Sequence, residues 1–323
     1  MPMPDRPSPA IGTAGPKPSP RGSRASFPIA RVSGIEIRVH LSFLVLVALF
    51  AAAAPEPGIT SALLSVTWLI AVFGCIVVHE FAHSLVARTR GVGVHEILLL
   101  PLGGISKMER LPERPQDEFA IAIVGPLTSF GLAALAAALC VLTGRALLPV
   151  DLIGGAWLAK LAWLNLILGA FNMIPAFPLD GGRVFRSMLE RNRSLESATR
   201  TATRVGHAFA IALIVGGFLF DIWLMLIGAF IYFGASAEQA ATIVHIRLEG
   251  HTVADAMRVD VERIPTGPWT AAEPVGPNEP LSDELIGRLA AAAERQLPVS
   301  ESGRIVGVLR LEDVNRLIAT SQS

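Results

Sequence analysis

The chain has 323 residues, of which 52% are hydrophobic and only 17% charged, and its mean hydropathy is +0.53. Soluble globular chains carry about a quarter charged residues, so this composition excludes an ordinary soluble domain and indicates an integral membrane protein. Lys plus Arg and Asp plus Glu balance at 27 each, which leaves no overall basic bias of the kind that binds nucleic acid.

Residues 1–26 hold Pro, Ser, Gly and basic residues without an apolar core. They read as a disordered tail and not as a cleaved signal peptide. Residues 27–40 alternate apolar and polar side chains around Gly34, the pattern of a short β-hairpin, here at a membrane surface. Apolar segments then follow at residues 41–53, 61–86, 119–142, 156–174, 205–220 and 222–235. A bilayer-crossing helix needs about 20 apolar residues, so the expected fold class is a polytopic α-helical membrane protein of about six transmembrane helices.

Between the second and third segments, residues 94–106 are apolar but too short to span, and Pro101, Gly103 and Gly104 punctuate them. They predict membrane-associated β-strands lying against protein, because lipid cannot satisfy an open backbone. Residues 124–131 contain Gly125, Ser129 and Gly131, small residues that allow helices to approach closely. Pro175 and Pro178 must break the chain after the fourth segment, placing irregular backbone at membrane depth. Cys75 and Cys140 both fall in apolar runs, and no disulfide is expected.

The segment up to Arg38 holds six Lys/Arg, residues 87–118 five and residues 181–204 six, against two in residues 143–160 and none in residues 52–62 or 218–222. By the positive-inside rule both termini of this multi-pass protein face the cytoplasm, across the cell membrane. From His251 the composition becomes that of a soluble chain. Residues 253–257, 283–296, 297–299 and 304–314 alternate helix and strand patterns, giving a small cytosolic α/β module of about 70 residues, marginal by itself at that size.

The chemistry is concentrated in His79-Glu80-Phe81-Ala82-His83, an H-E-x-x-H in the later half of the second span. Four residues apart on a helix, the two imidazoles differ by about 40° of rotation and about 6 Å of rise, so they face one side. Glu80 lies where a carboxylate can take a proton from a water activated by a metal. Two imidazoles and a carboxylate are costly in lipid unless something compensates them, and a zinc ion does so. Catalytic zinc takes three protein ligands, and Asp180 is the candidate third, since Pro175 and Pro178 unwind the chain before it and Gly181-Gly182 let it turn. An Asp there could also cap a helix starting at Gly182. By charge count His79, His83 and Asp180 lie at similar depth. A metal-binding transporter or channel, gated by the terminal module, is the rival reading, but it gives Glu80 no role as a base.

The H-E-F-A-H at 79–83, the G-P-L at 125–127 and N-M-I-P-A-F-P-L-D-G-G at 172–182 resemble the signature set of the site-two protease family of intramembrane zinc metalloproteases. The resemblance covers about residues 27–240. It implies that His79, His83 and Asp180 bind one Zn2+, that Glu80 is the catalytic base, and that Asn172 helps hold substrate or the oxyanion. It further implies transmembrane protein substrates, cut within or near their spans, anti-sigma-factor-like regulators being one such class. A transmembrane substrate must unwind to expose a peptide bond, and the strand region near residues 97–105 offers pairing by strand addition. After a linker at 241–250, V-A-D-A-M at 253–257, L-P-V at 297–299 and G-V-L-R-L-E-D-V at 307–314 resemble a single CBS domain over residues 251–320. Such domains work in pairs, which implies a homodimer or a regulatory role. Asp313 matches a ribose-contacting position, but Arg310 stands where nucleotide-binding versions carry Ser or Thr, so adenine nucleotide is not expected.

Overall fold

A computed structural model describes residues 25–54, 58–101, 103–108, 111–112, 114–148, 156–259 and 273–320. The expected N-terminal tail lies almost wholly outside these residues. Strands β1 (Ser26–Val32) and β2 (Ile35–His40) form the predicted hairpin. Ser33 and Gly34 turn it with φ of 50° and 80°, the left-handed pair that matches strand twist. Two helices come next, α1 (Leu41–Ala52) and α2 (Ile59–Thr89), then β3 (Val94–Leu100) and β4 (Gly103–Met108).

The four strands form one sheet in the order β1-β2-β3-β4. The β2–β3 pair is parallel and its neighbours are antiparallel; a parallel pair needs a long crossover, which α1 and α2 supply. Ile35, Ile37, Val39, Ile97 and Leu99 turn one face of the sheet into a core with Phe43, Leu69 and Phe73. The Phe43 and Phe73 rings meet edge to face at 4.6 Å. This apolar seam fastens the sheet to α2, and at its far edge β4 lies over the helix that carries the H-E-x-x-H.

The remaining helices of this part are α3 (Pro115–Leu142), α4 (Trp157–Asn172), α5 (Asp180–Glu190), α6 (Leu195–Phe220) and α7 (Ile222–Leu248). Among the described residues α2, α3, α6 and α7 are long and apolar enough to cross a membrane. With 12 and 16 residues, α1 and α4 reach about 18 and 24 Å, short of the ~30 Å hydrocarbon core. Helix α6 begins ten residues before the expected span, at Leu195, and α7 continues past residue 235 to Leu248. Residues 241–248, expected in a linker, are therefore the last turns of α7.

Between α4 and α5 the chain is irregular, as Pro175 and Pro178 require, and the Phe177–Pro178 peptide is cis. The middle of this loop is enclosed by protein, although Pro175 is exposed. Ala176 and Phe177 are completely buried, and Gly234 of α7 leaves room for the Pro178 ring, whose Cγ would lie 2.7 Å from a Cβ there. Buried against protein, such backbone is tolerated at membrane depth.

The C-terminal module comprises α8 (Val253–Ala256), α9 (Asp283–Ala291), the antiparallel pair β5 (Gln296–Glu301) and β6 (Arg304–Arg310), and α10 (Leu311–Thr320). Helix α9 stops at Ala291 and not at 296, because Ala292 is already extended, with φ −70° and ψ 150°, and Glu294 and Arg295 then take positive φ. The core gathers Val253, Leu285, Leu289, Leu309 and Val314 together with Leu248 at the end of α7. The module is thus built onto α7 and shares its last turn. Asp313 is buried, and its carboxylate accepts three hydrogen bonds from Arg258 at 2.7 to 2.9 Å.

Candidate metal centre

Helix α2 presents His79 and His83 from successive turns, their rings edge to face with centroids 4.8 Å apart. Asp180, the first residue of α5, meets them from across the chain. His79 Nε2 lies 3.1 Å from His83 Nε2 and 3.1 Å from Asp180 Oδ2, and His83 Nε2 lies 3.2 Å from the same oxygen. Zinc with ligands at 2.0–2.1 Å in a tetrahedron sets ligand atoms about 3.3 Å apart, so this triangle has the size of one tetrahedral face.

The other ring nitrogens are held from behind, and one of them decides a tautomer. His83 Nδ1 is 2.6 Å from the Ile121 carbonyl oxygen, which can only accept, so Nδ1 carries the proton and Nε2 keeps a lone pair. His79 Nδ1 is 2.9 Å from Ser129 Oγ. Both partners are on α3, and both fix an imidazole from behind, the usual arrangement for metal-ligating histidines. Lone pairs of His83 and a carboxylate at 3.2 Å in a buried place repel unless a cation lies among them. The residues present therefore fit a metal ion.

Glu80 is half-buried beside the triangle. Its Oε2 accepts a 2.8 Å hydrogen bond from Ser106 Oγ on β4. Gly104 makes this approach possible: a Cβ there would lie 2.6 Å from Glu80 Cγ. On the opposite side Gly125 of α3 is pressed onto the imidazoles, where a Cβ would lie 2.7 Å from His79 Nε2 and nearer still to His83. The small residues of 124–131 thus serve a more specific end than helix contact, since the helix approaches the metal group itself.

Asp180 is held in place by the first two turns of α5. Gly181 and Gly182 have ordinary helical φ, so chain reversal is not their use; a Cβ at Gly182 would lie 2.6 Å from Phe177 N, and one at Gly181 would collide with the Ile174 carbonyl. Their smallness lets the buried loop fold back onto α5. Further along the helix, Arg186 is 2% exposed; its Nε donates at 2.9 Å to Glu118 Oε1 of α3, its Nη2 bonds the same oxygen, and its Nη1 donates at 3.0 Å to Thr242 Oγ1 of α7. A buried pair satisfied this fully locks α3, α5 and α7 in register. The N-cap of α5 is Leu179 and not Asp180, whose carboxylate contacts the two histidines.

A profile described as Peptidase family M50 matches residues 67–150 and 151–213. The chain is 30% identical over 296 residues to "Zinc metalloprotease MJ0392" of Methanocaldococcus jannaschii, covering 90% of this chain and 80% of that protein. This chain belongs to peptidase family M50, the site-two protease family. Membership makes it a zinc metalloendopeptidase. The M50 chain is also 31% identical over 319 residues to Rip3 of Mycobacterium tuberculosis, provisionally named a zinc metalloprotease, covering 93% and 78% of the two chains. A solved structure titled "Site-2 Protease from Methanocaldococcus jannaschii" aligns with a TM-score of 0.49 at 35% identity, covering 66% of this chain and 95% of that one.

In this M50 protein the H-E-x-x-H and Asp180 come together as the sequence expects. Asn172 lines the same cavity, but its Nδ2 donates back to the Leu168 carbonyl of its own helix at 3.0 Å. Cys75 is turned elsewhere, its Sγ 3.2 Å from Asn165 Nδ2, and His95 is not among the cavity-lining residues. Sequence reasoning missed Ser106, Ser129, the Ile121 carbonyl and the Glu118–Arg186 pair. Only Ser129 left a signal, one helical turn after Gly125 on the same face of α3.

Proposed function

We propose that this M50 protein is an intramembrane endopeptidase in which His79, His83 and Asp180 hold one zinc ion and Glu80 is the base. The observation that carries this reading is the triangle of Nε2, Nε2 and Oδ2 with a carboxylate beside it, at the wall of a cavity of about 570 Å³. When bound, zinc supplies Lewis acidity that lowers the pKa of a coordinated water and polarises a carbonyl. Glu80 then takes the water proton at its carboxylate and passes it to the leaving amine. Ser106 donates to one Glu80 oxygen and so leaves the other free for that proton. Leu168, Phe171 and Phe230 give the cavity an apolar wall, suited to a span of another membrane protein. A metal transporter would make no use of a carboxylate held beside the ligands by its own hydrogen bond.

The helix contacts support six passes of the chain, with α1 and α4 too short to cross by helix alone. Trp163 of α4 donates to the Leu147 carbonyl just beyond the end of α3, while Arg186, past the end of α4, reaches Glu118 in the first turn of α3. Helix α4 and its loop thus return the chain along the length of α3. Likewise Arg88 at the end of α2 donates to the Ser33 carbonyl in the sheet from which α1 departs, so α1 leads out and α2 leads back. With the basic residues counted above, these contacts support a reading in which both termini face the cytoplasm.

Substrate unwound near the ion would add to β4. The inner strand β3 is paired on both sides, by β2 and β4, whereas β4 is the sheet edge nearest Glu80; residues 98–100, on β3, are therefore not the pairing strand. The C-terminal module, resembling a CBS domain, acts as a regulatory or dimerising unit in this reading, and Asp313, engaged by Arg258, is not offered to a nucleotide. Trapping bound proteins with a Glu80→Gln variant in native membranes tests the function. Enrichment of single-span proteins, such as anti-sigma-factor-like regulators, is expected; a Glu80→Gln enzyme that still cleaves would refute it.

A further inference from the structure

Two arginines stand one turn apart on α5 and differ in how they are used. Every nitrogen of Arg186 is engaged, by Glu118 and Thr242. The Arg183 side chain makes no hydrogen bond among the described residues. Its Nε is buried without a partner, and its nearest carboxylate, Glu238 Oε1, is 3.7 Å from Nη2, an ion-pair distance beyond hydrogen-bond reach. Buried donors without acceptors are rare because they are destabilising. Arg183 also lines the cavity that holds Glu80 and Asp180, while two other side-chain donors in that wall are already engaged, the amide of Asn172 by Leu168 and the hydroxyl of Ser106 by Glu80.

We propose that Arg183 is a substrate-binding residue, donating to a main-chain carbonyl of the unwound substrate segment. This rests on the endopeptidase reading above. The arrangement suits a neutral acceptor better than an acidic side chain, because Glu238, 3.7 Å from Arg183 and 3.6 Å from Arg186, and Glu118 on Arg186 together already balance the two arginines. An unwound apolar segment brings carbonyls that have lost their helical partners, and in a water-poor cavity they need donors. Arginine offers several in a fixed fork, which lysine cannot reproduce.

The test uses full-length, zinc-loaded Glu80→Gln protein in detergent and a fluorescein-labelled apolar peptide interrupted by a central Gly–Pro pair. Fluorescence anisotropy gives its Kd, and elemental analysis gives zinc content. Adding Arg183→Gln should weaken binding by about tenfold to a hundredfold with zinc content unchanged, and Arg183→Lys should fall between. Equal affinity in Arg183→Gln overturns the proposal. So does a loss of zinc in step with affinity, which would make Arg183 a support for Asp180. Absence of binding to the Glu80→Gln parent also overturns it, and cleavage of the same peptide by the wild type tells that failure from failure of the endopeptidase reading.

Discussion

Gly125 of α3 and His83 of α2 touch so closely that no side chain fits between them: a Cβ at Gly125 would overlap the His83 imidazole and lie 2.7 Å from His79 Nε2. Gly125→Ala should therefore spread the ligands and lower zinc affinity by more than about tenfold, measured as zinc content after dialysis. Gly131→Ala, on the same helix with nothing within 4 Å of its Cβ position, should keep full zinc. Equal zinc in both variants would remove Gly125 from the site.

The ligand and base roles separate in two further variants. Asp180→Ala should lose most bound zinc and all cleavage. Glu80→Gln should keep its zinc and lose about 10²–10⁴ in turnover. Chelation of the wild type should abolish cleavage, with recovery on adding zinc back.

Ser129 orients His79 from behind through a 2.9 Å contact. Ser129→Ala should weaken zinc binding by about tenfold to a hundredfold without changing the kinetic role of Glu80. A competition titration against a chelator reads this directly, and an unchanged affinity would make the contact incidental.

Proline at Ile105 or at Lys107, clear of the Gly104 and Ser106 contacts with Glu80, addresses strand addition. N–H groups along β4 point alternately to β3 and to the free edge. Prolines at edge-facing positions should leave the fold and zinc intact while cleavage falls; retained cleavage at every position that still folds would count against pairing with substrate.

Glu118 and Asp117 are sequence neighbours with opposite value. Glu118 pairs with the 2% exposed Arg186, Asp117 with Arg90, whose side chain is 43% exposed. Glu118→Ala removes the carboxylate bonded to a buried guanidinium, leaving Glu238 at 3.6 Å as its nearest charge, and should cost up to about 3–5 kcal/mol. Asp117→Ala should cost less than about 1 kcal/mol. Thermal unfolding in detergent compares them.

The sequence made the centre legible where chemistry is local. His79, Glu80 and His83 share one helix, and Asp180 sits at the end of a loop that two prolines oblige to unwind. The supports were not legible, because each joins residues far apart: Ile121 to His83, Ser106 to Glu80, Glu118 to Arg186 across 68 positions. Gly181 and Gly182 were noticed for a turn they do not make, since a glycine retained for closeness looks in sequence like one retained for flexibility. Helix limits failed for a different reason. Apolar composition ends with the membrane, whereas α7 goes on for 13 residues beyond residue 235.

That continuation has a mechanical consequence. Helix α7 is about 40 Å long, and one rod carries Glu238 and Thr242, which face Arg183 and Arg186, and Val244 and Leu248, which pack with the core of the C-terminal module. Only about six residues separate Thr242 from Leu248, less than two turns of helix. The module and the cavity wall are therefore coupled by a stiff lever and not by a hinge, so a torque applied to the module is felt at the arginines beside Asp180.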